Sequence, residues 1–501
     1  MRDAGAVEMP REGALGAREI RSHVLRYAPS VAVPAVMATI FTAVFTRVFD
    51  ASAYGYYTLV LSTSYAAASV LCSWLQQAIT RFVPGVTDGD NLDHLKGGYL
   101  IGLLGMTAFV AIVGLAVLPL ASGLLEPGLA SMMWPAFVLI LVNVVYSGLS
   151  TLLQAELRSG RYSVYTVSNS VLRLLLAVVL TLVVSYTHPA ALVWANAAAM
   201  VLVLPPLIKD VRFPSPSSML RHRHDVTKRV KDFAVYGVPM MGWIAASALL
   251  DTSDRYIIQI FRGSGEVGIY AANYSVIYGA ASLINAPLLF AVHTLLMKAH
   301  NEGDTKTAGR WLERITEWYF VCGSILVGAC FLLSKDIARF LLGPSFHSGH
   351  IIIPVVLAGL VVWHWSIYAH KPLEFAGKTR LLLGIAVVAA VLNIVLNVLL
   401  VPRFGYAAAA YTTLAAYATY GVFAYRLGNR FMAWRIPWKR PLGGLGICAA
   451  FIVVSHQART VVEAYAGYAP GLALTCTGIL LMVAAVALRY RMLAIPASSK
   501  L

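Results

Sequence analysis

Residues 97–120 read GGYLIGLLGMTAFVAIVGLAVLPL, with no Asp, Glu, Lys or Arg in the run. An α-helix rises about 1.5 Å per residue, so about 20 apolar residues cross the roughly 30 Å of a bilayer's hydrocarbon layer. The run meets that requirement and predicts a membrane-crossing helix. A membrane β-strand would instead alternate apolar and polar residues over about ten positions, which excludes a β-barrel. Similar runs lie near residues 28–46, 55–79, 132–155, 162–186, 189–208, 233–258, 268–297, 314–334, 349–370, 381–402, 406–425, 441–457 and 469–488. The thirteenth of the fourteen runs is short, and the seventh carries charges near its outer end. The expected fold is an all-α integral membrane protein.

Composition agrees with that expectation. The 501 residues are 59% hydrophobic and 12% charged, with a mean hydropathy of +0.71. A soluble domain is about a quarter charged. The surplus apolar surface requires lipid as its solvent.

The 39 Lys and Arg exceed the 23 Asp and Glu by 16. With fourteen spans and both termini cytoplasmic, 31 of the 39 basic residues fall on the cytoplasmic side and 7 on the other, while Arg173 lies inside a span. This follows the positive-inside rule along the whole chain. The basic excess is therefore a topology signal and an attraction to anionic headgroups. No nucleic-acid partner is expected. The apolar run after the Arg-bearing first 26 residues has no cleavage pattern of small residues, so it is expected to stay as the first helix. Cys72, Cys322, Cys330, Cys448 and Cys476 lack C-x-x-C spacing and are expected as core filler, with no metal.

The polar stretch from Lys209 to Asp232, with Pro214, Pro216 and a run of basic residues, divides six spans from eight. The expected organisation is a cytoplasmic segment 1–27, a six-helix lobe 28–208, a basic cytoplasmic linker 209–232 and a second six-helix lobe 233–426. A cytoplasmic loop 427–440, helices 13 and 14 within 441–488 and a cytoplasmic tail 489–501 complete it. Each lobe opens alike, with a Pro-bearing helix (Pro34; Pro239), a basic residue near its outer end (Arg47; Arg255) and a Gly-x-Tyr helix start (Gly55-Tyr56-Tyr57; Gly268-Ile269-Tyr270). Repeated bundles of this kind build secondary transporters, which hold substrate near the bilayer midplane. External loops such as Gln259–Val267 and Lys335–Ser348 are too small for a catalytic domain, and no nucleotide or metal signature occurs. The chain is expected not to be an enzyme.

Ionisable groups inside the bilayer are costly and mark candidate sites. Arg173 stands near the middle of the fifth span, with Asn169 and Tyr165 before it on one face at spacings of four. It is either a fixed cation for a phosphate in a wet cavity or an Arg neutralised by a neighbouring helix. The seventh span carries Asp251, Asp254 and Arg255, and the i, i+4 pair Asp251 and Arg255 either neutralises itself or leaves one of the two Asp to exchange a proton or sodium ion. Arg47 and Arg81 end the first two spans and either serve the cavity or snorkel to headgroups. Asn393 and Asn397, with Thr412 and Thr413, are either cation ligands or polar glue between helices. Tyr270, Tyr274 and Tyr278 stack along the eighth span, as a packing stripe or as faces for sugar rings. In the tenth span, Trp363 and Trp365 suit the interfacial belt, and His364 is either a satisfied interior histidine or a proton relay.

Several ordered blocks carry a family resemblance. They are Phe45-Thr46-Arg47-Val48 with Tyr54-Gly55-Tyr56-Tyr57, Ala78 to Pro84, Tyr236-Gly237-Val238-Pro239, Asp254 to Ile258 with Val267 to Tyr270, and Gly405-Tyr406 with the alanines after them. The chain resembles bacterial polysaccharide and O-antigen flippases of the multidrug/oligosaccharidyl-lipid/polysaccharide exporter superfamily. The resemblance implies two lobes around a cationic cavity. It implies translocation of an undecaprenyl-diphosphate-linked oligosaccharide across the bacterial inner membrane, for capsule, exopolysaccharide or O-antigen synthesis, by alternating access. Arg173, Arg47, Arg81 and Arg255, with Asn169, would line the cavity, and Asp251, Asn393, Asn397 and Thr413 would hold a coupling Na+ or H+. No other cofactor is implied. Partners would be the lipid-linked oligosaccharide, membrane lipids and other polysaccharide assembly proteins. Alternatives are a multidrug exporter of the same superfamily, a twelve-helix facilitator-type transporter and a non-transporting scaffold of an assembly complex. A drug exporter would favour an acidic cavity, and the loop from Arg81 to Lys96 lacks the facilitator's Gly-rich pattern.

Overall fold

A computed structural model of the chain describes residues 17–490 except 85, 87 and 88. The ends of the expected cytoplasmic segments, residues 1–16 and 491–501, and the side chain of Pro239 lie outside the described residues. Fourteen long helices occupy the fourteen apolar runs: α1 Ala17–Val48, α2 Ala51–Phe82, α3 Gly89–Ser122, α4 Met133–Ala155, α5 Ser159–Val178, α6 Ala190–Val211, α7 Arg223–Arg262, α8 Ser264–Asn301, α9 Thr305–Leu341, α10 Ile353–Ala369, α11 Thr379–Phe404, α12 Tyr406–Gly428, α13 Lys439–Ala466 and α14 Tyr468–Tyr490. Among the described residues, 11 helices are long and apolar enough to cross a membrane. The count becomes 12 when the two arms of α7, Arg223–Val238 and Met240–Arg262, are taken as one span. Shorter helices cover Pro127–Ala130, Pro216–Arg221, Pro344–Ile352 and Lys371–Phe375, and one π-helical turn, Val179–Val183, extends α5.

The chain divides into two compact units. The first joins the chain up to Met37 with Val60–Ala248, and the second joins Ala38–Leu59 with Leu249–Leu501. In the first, α4 packs on α3 and α6, and α5 on α6. Close approach is set by small residues: Tyr99 donates to the carbonyl of Gly148 at 2.9 Å, and Gly114 lies beneath the Phe137 ring. The opposite faces carry exposed Leu104, Ile112 and Leu120, as expected where lipid is the solvent.

In the second unit, α12 packs on α10 and α11, and α9 on α10 and α13. The corner between α1 and α2 belongs here because of its contacts. Gly343 N–H donates to Thr46 Oγ1 at 3.1 Å, and Tyr54 meets Phe346 edge-on at 5.5 Å. Helices α13 and α14 dock on α9 through Val321, Cys448, Met482 and Val486. Arg459 of α13 clasps Asp336 of α9 with two hydrogen bonds, at 2.6 and 2.9 Å. All five cysteines are free; Cys72 and Cys448 are buried and Cys476 is exposed.

Candidate functional site

The densest polar network inside the spans lies in the second unit, where α7, α8, α11 and α12 each contribute side chains. Asp254 is 2% exposed, which makes its carboxylate costly unless it is hydrogen-bonded. It is served by three donors: Asn397 Nδ2 at 2.7 Å to Oδ1, and Tyr270 Oη at 2.8 Å and Thr413 Oγ1 at 2.5 Å to Oδ2. Asn393 and Asn397 are fully buried four residues apart on α11. Asn393 Oδ1 accepts from Ser253 at 2.9 Å and from Asn397 at 3.1 Å, while its amide donates to Thr413 at 3.2 Å. Thr412 donates to Asn397 Oδ1 at 2.7 Å. One carboxylate, two amide oxygens and four hydroxyls are thus held together, a hard-oxygen set of the kind that binds alkali and alkaline-earth cations.

Asn393, Asn397 and Thr413 are therefore brought together in one hydrogen-bonded network, but Asp251 does not join them. Asp254 takes that place. Three residues turn a helix by about 300°, so the two carboxylates point about 60° apart, and the rotation of α7 decides which enters the network. Asp251 is exposed and accepts from Tyr417 Oη at 3.2 Å. Arg255 donates to the main-chain carbonyl of Asp251 at 3.3 Å, with its guanidinium 5.6 Å from the centre of the Tyr274 ring and its Nε buried without an acceptor. Thr412, offered by the sequence beside Thr413, joins the network, and Tyr270 and Ser253 enter it without any sequence signal for a ligand role. In sequence Tyr270 stands out as the end of a Gly-x-Tyr helix start and as the first of the tyrosine stripe, and neither pattern reports its bond to Asp254.

The other candidate cations differ in their surroundings. Arg173 is half-buried in α5 with Asn169 one turn before it; Asn169 Oδ1 is buried with no hydrogen-bond donor. Tyr165, on the same face, donates instead to Asp210 and to the carbonyl of Pro206 on α6, at 3.0 Å to the latter. Arg81 lies over the ring of Tyr236, 4.3 Å from its centre. Arg47 grips the end of α9, at 2.7 Å from the carbonyl oxygen of Phe340 and 3.0 Å from that of Leu341.

On α10, His364 lines a cavity of about 420 Å³ with Trp318 and Tyr319 of α9. At the end of that helix, His370 is hydrogen-bonded to Tyr420 at 2.9 Å, and Lys371 pairs with Glu374 at 2.6 Å.

The fold has solved counterparts. One structure of the lipid II flippase MurJ, in an inward closed conformation, superposes with a TM-score of 0.75 at 14% identity, over 94% of this chain and 99% of that one. An inward-facing multidrug resistance MATE family transporter of the MOP superfamily gives a TM-score of 0.59 at 14% identity, over 82% of this chain and 94% of that one. These likenesses are of fold, and the fold is that of MOP-superfamily transporters. In sequence, the chain is 21% identical over 382 residues to an uncharacterized membrane protein of Methanocaldococcus jannaschii, MJ1068, covering 72% of this chain and 74% of that protein. Residues 25–293, more than half of the chain, match the polysaccharide biosynthesis protein family, and the chain belongs to that family.

Proposed function

We propose that the protein flips an undecaprenyl-diphosphate-linked oligosaccharide from the cytoplasmic to the periplasmic leaflet of a bacterial inner membrane by alternating access, with both termini cytoplasmic. Family membership and the flippase-like fold support this reading. The observation that carries it is Arg173, half-buried near the middle of the Ser159–Val183 span. A guanidinium there costs at least about 2.5–3.5 kcal/mol against lipid, so its retention fits a wet path with an anionic passenger. The planar fork of Arg suits phosphate oxygens, two hydrogen bonds at a time.

Arg255 extends the same reading in the second unit, as a further guanidinium inside the spans, beside the Tyr274 ring. Arg47 and Arg81, already engaged with carbonyls and a ring, add positive potential at helix ends. Flipping breaks no bond, so the work is to replace the water around the diphosphate and sugar hydroxyls. For coupling, Asp254, Asn393, Asn397 and Thr413 would hold a sodium ion, with Asp254 supplying its countercharge.

The test is flipping of a fluorescent diphosphate-linked oligosaccharide by the purified protein in vesicles. Losing a charge-assisted hydrogen bond costs about 1.5–3 kcal/mol, so Arg173→Ala is expected to slow flipping about 10- to 100-fold. Unchanged flipping overturns the cationic path, and transport of organic cations in place of the lipid favours the drug-exporter alternative.

A further inference from the structure

Asp251 and Arg255 of α7 and Tyr274 and Tyr278 of α8 form one cluster in the second unit. Asp251 is exposed, and it lies eleven residues before Arg262, the end of α7. That places it roughly 16 Å in from the helix end, near mid-bilayer. A carboxylate exposed at this depth is too costly against acyl chains, so this face of the unit meets water.

Tyr278 shares the exposure. It is 47% exposed, while Tyr270 and Tyr274, on the same helix face, are 2% and 9% exposed. The hydroxyl of Tyr270 is used by Asp254. Tyr274 and Tyr278 stack at 6.0 Å between ring centres, 21° apart in plane. The guanidinium of Arg255 sits 5.6 Å from the Tyr274 ring, and both Asp251 and Arg255 act electrostatically on Tyr278. The stripe expected from sequence thus divides into a packed part and a wet part that ends on an open ring.

A wet wall of this kind offers three different contacts. The Arg255 guanidinium beside Tyr274 supplies positive charge for a phosphate oxygen, and the Tyr278 ring presents an apolar surface suited to the C–H face of a pyranose. Asp251 accepts from sugar hydroxyls, and its charge repels an acidic sugar. Resting on the flippase reading above, we infer that this wall binds the sugar next to the diphosphate, with Tyr278 and Asp251 selecting an uncharged pyranose over a uronic acid.

The test is equilibrium binding to the purified full-length protein of three probes: farnesyl diphosphate, and the same diphosphate carrying one N-acetylhexosamine or one glucuronic acid. Stacking contacts predict that the neutral sugar strengthens binding about five-fold over farnesyl diphosphate, and that the uronic acid does not. Tyr278→Leu should remove that gain and leave farnesyl diphosphate affinity intact, while Tyr278→Phe keeps the gain. Asp251→Asn should let the uronic acid bind as well as the neutral sugar. A full sugar gain in Tyr278→Leu, or an unchanged preference in Asp251→Asn, overturns the inference and leaves the flippase reading standing. If the wild-type protein binds none of the three probes, the flippase reading fails and the inference fails with it.

Discussion

Gly55 and Gly268 face each other reciprocally in the second unit. A methyl group on Gly55 would lie 1.9 Å from the carbonyl oxygen of Ser264, and one on Gly268 would lie 1.9 Å from that of Ala51. Ser264 stands four residues before Gly268, and Ala51 four before Gly55, so the contact is two-fold in its residue pattern. Here the Gly-x-Tyr repeat of the sequence becomes a pair of helix starts packed backbone to backbone. Gly55→Ala or Gly268→Ala is expected to destabilise the protein by about 1–3 kcal/mol, because backbone rather than a flexible side chain must give way. Gly446, with open space around its Cβ direction, is the contrast. There, an Ala should stabilise α13 by up to about 1 kcal/mol through helix propensity. Thermal midpoints of the purified variants in detergent check both, and equal midpoints for Gly55→Ala and Gly446→Ala would contradict the close packing.

The spans were legible because lipid imposes one length and one polarity on every crossing helix. Asn393, Asn397 and Thr413 were legible for the converse reason, as polar groups that hydrocarbon penalises. The choice between Asp251 and Asp254 was not, because it depends on the rotation of α7 against α8, α11 and α12, which no local pattern reports. Arg47 was visible as a basic residue at a helix end. Its partners are the carbonyls of Phe340 and Leu341, almost three hundred residues away, and only tertiary packing brings them within reach.

The Asp254 network predicts which acid governs ion dependence. Asp254→Asn should abolish any stimulation of flipping by sodium over choline, since the only acid among these ligands loses its charge. Asp251→Asn should preserve that stimulation. Flipping rates in vesicles across a sodium series measure both. Sodium dependence that survives Asp254→Asn, or stimulation by a pH gradient alone, would remove sodium from this site.

In the first unit, Lys96 is 6% exposed and paired with Glu156, and it also donates to the carbonyl of Val211 at 2.9 Å. Arg158 reaches the same carboxylate at 3.2 Å. Lys96→Met would strand Glu156 beside only one cation, and breaking a buried pair from one side costs about 3–5 kcal/mol. Adding Glu156→Gln should recover a large part of that loss, because the stranded charge is gone. A double variant no more stable than Lys96→Met by chemical or thermal unfolding would show that packing of the lysine stem, rather than its charge, is what matters.

Arg47 tests whether every cation near the expected cavity serves the substrate. Its guanidinium lies on the last-turn carbonyls of α9 and also on the carbonyl of Ala43 at 2.5 Å. A helix C-terminus carries partial negative charge, and a cation there contributes about 0.3–1 kcal/mol at an exposed site. Arg47→Ala is therefore expected to lower stability by about that amount, and Arg47→Lys to lose less, since an ammonium still meets one carbonyl. Affinity for farnesyl diphosphate should change far less than in Arg173→Ala, because the donors of Arg47 are already spent on main-chain oxygens. Should Arg47→Ala weaken that affinity as much as Arg173→Ala at an unchanged thermal midpoint, Arg47 must leave α9 and contact the substrate during the cycle, and its role as a helix-end clasp would be confined to one state of it.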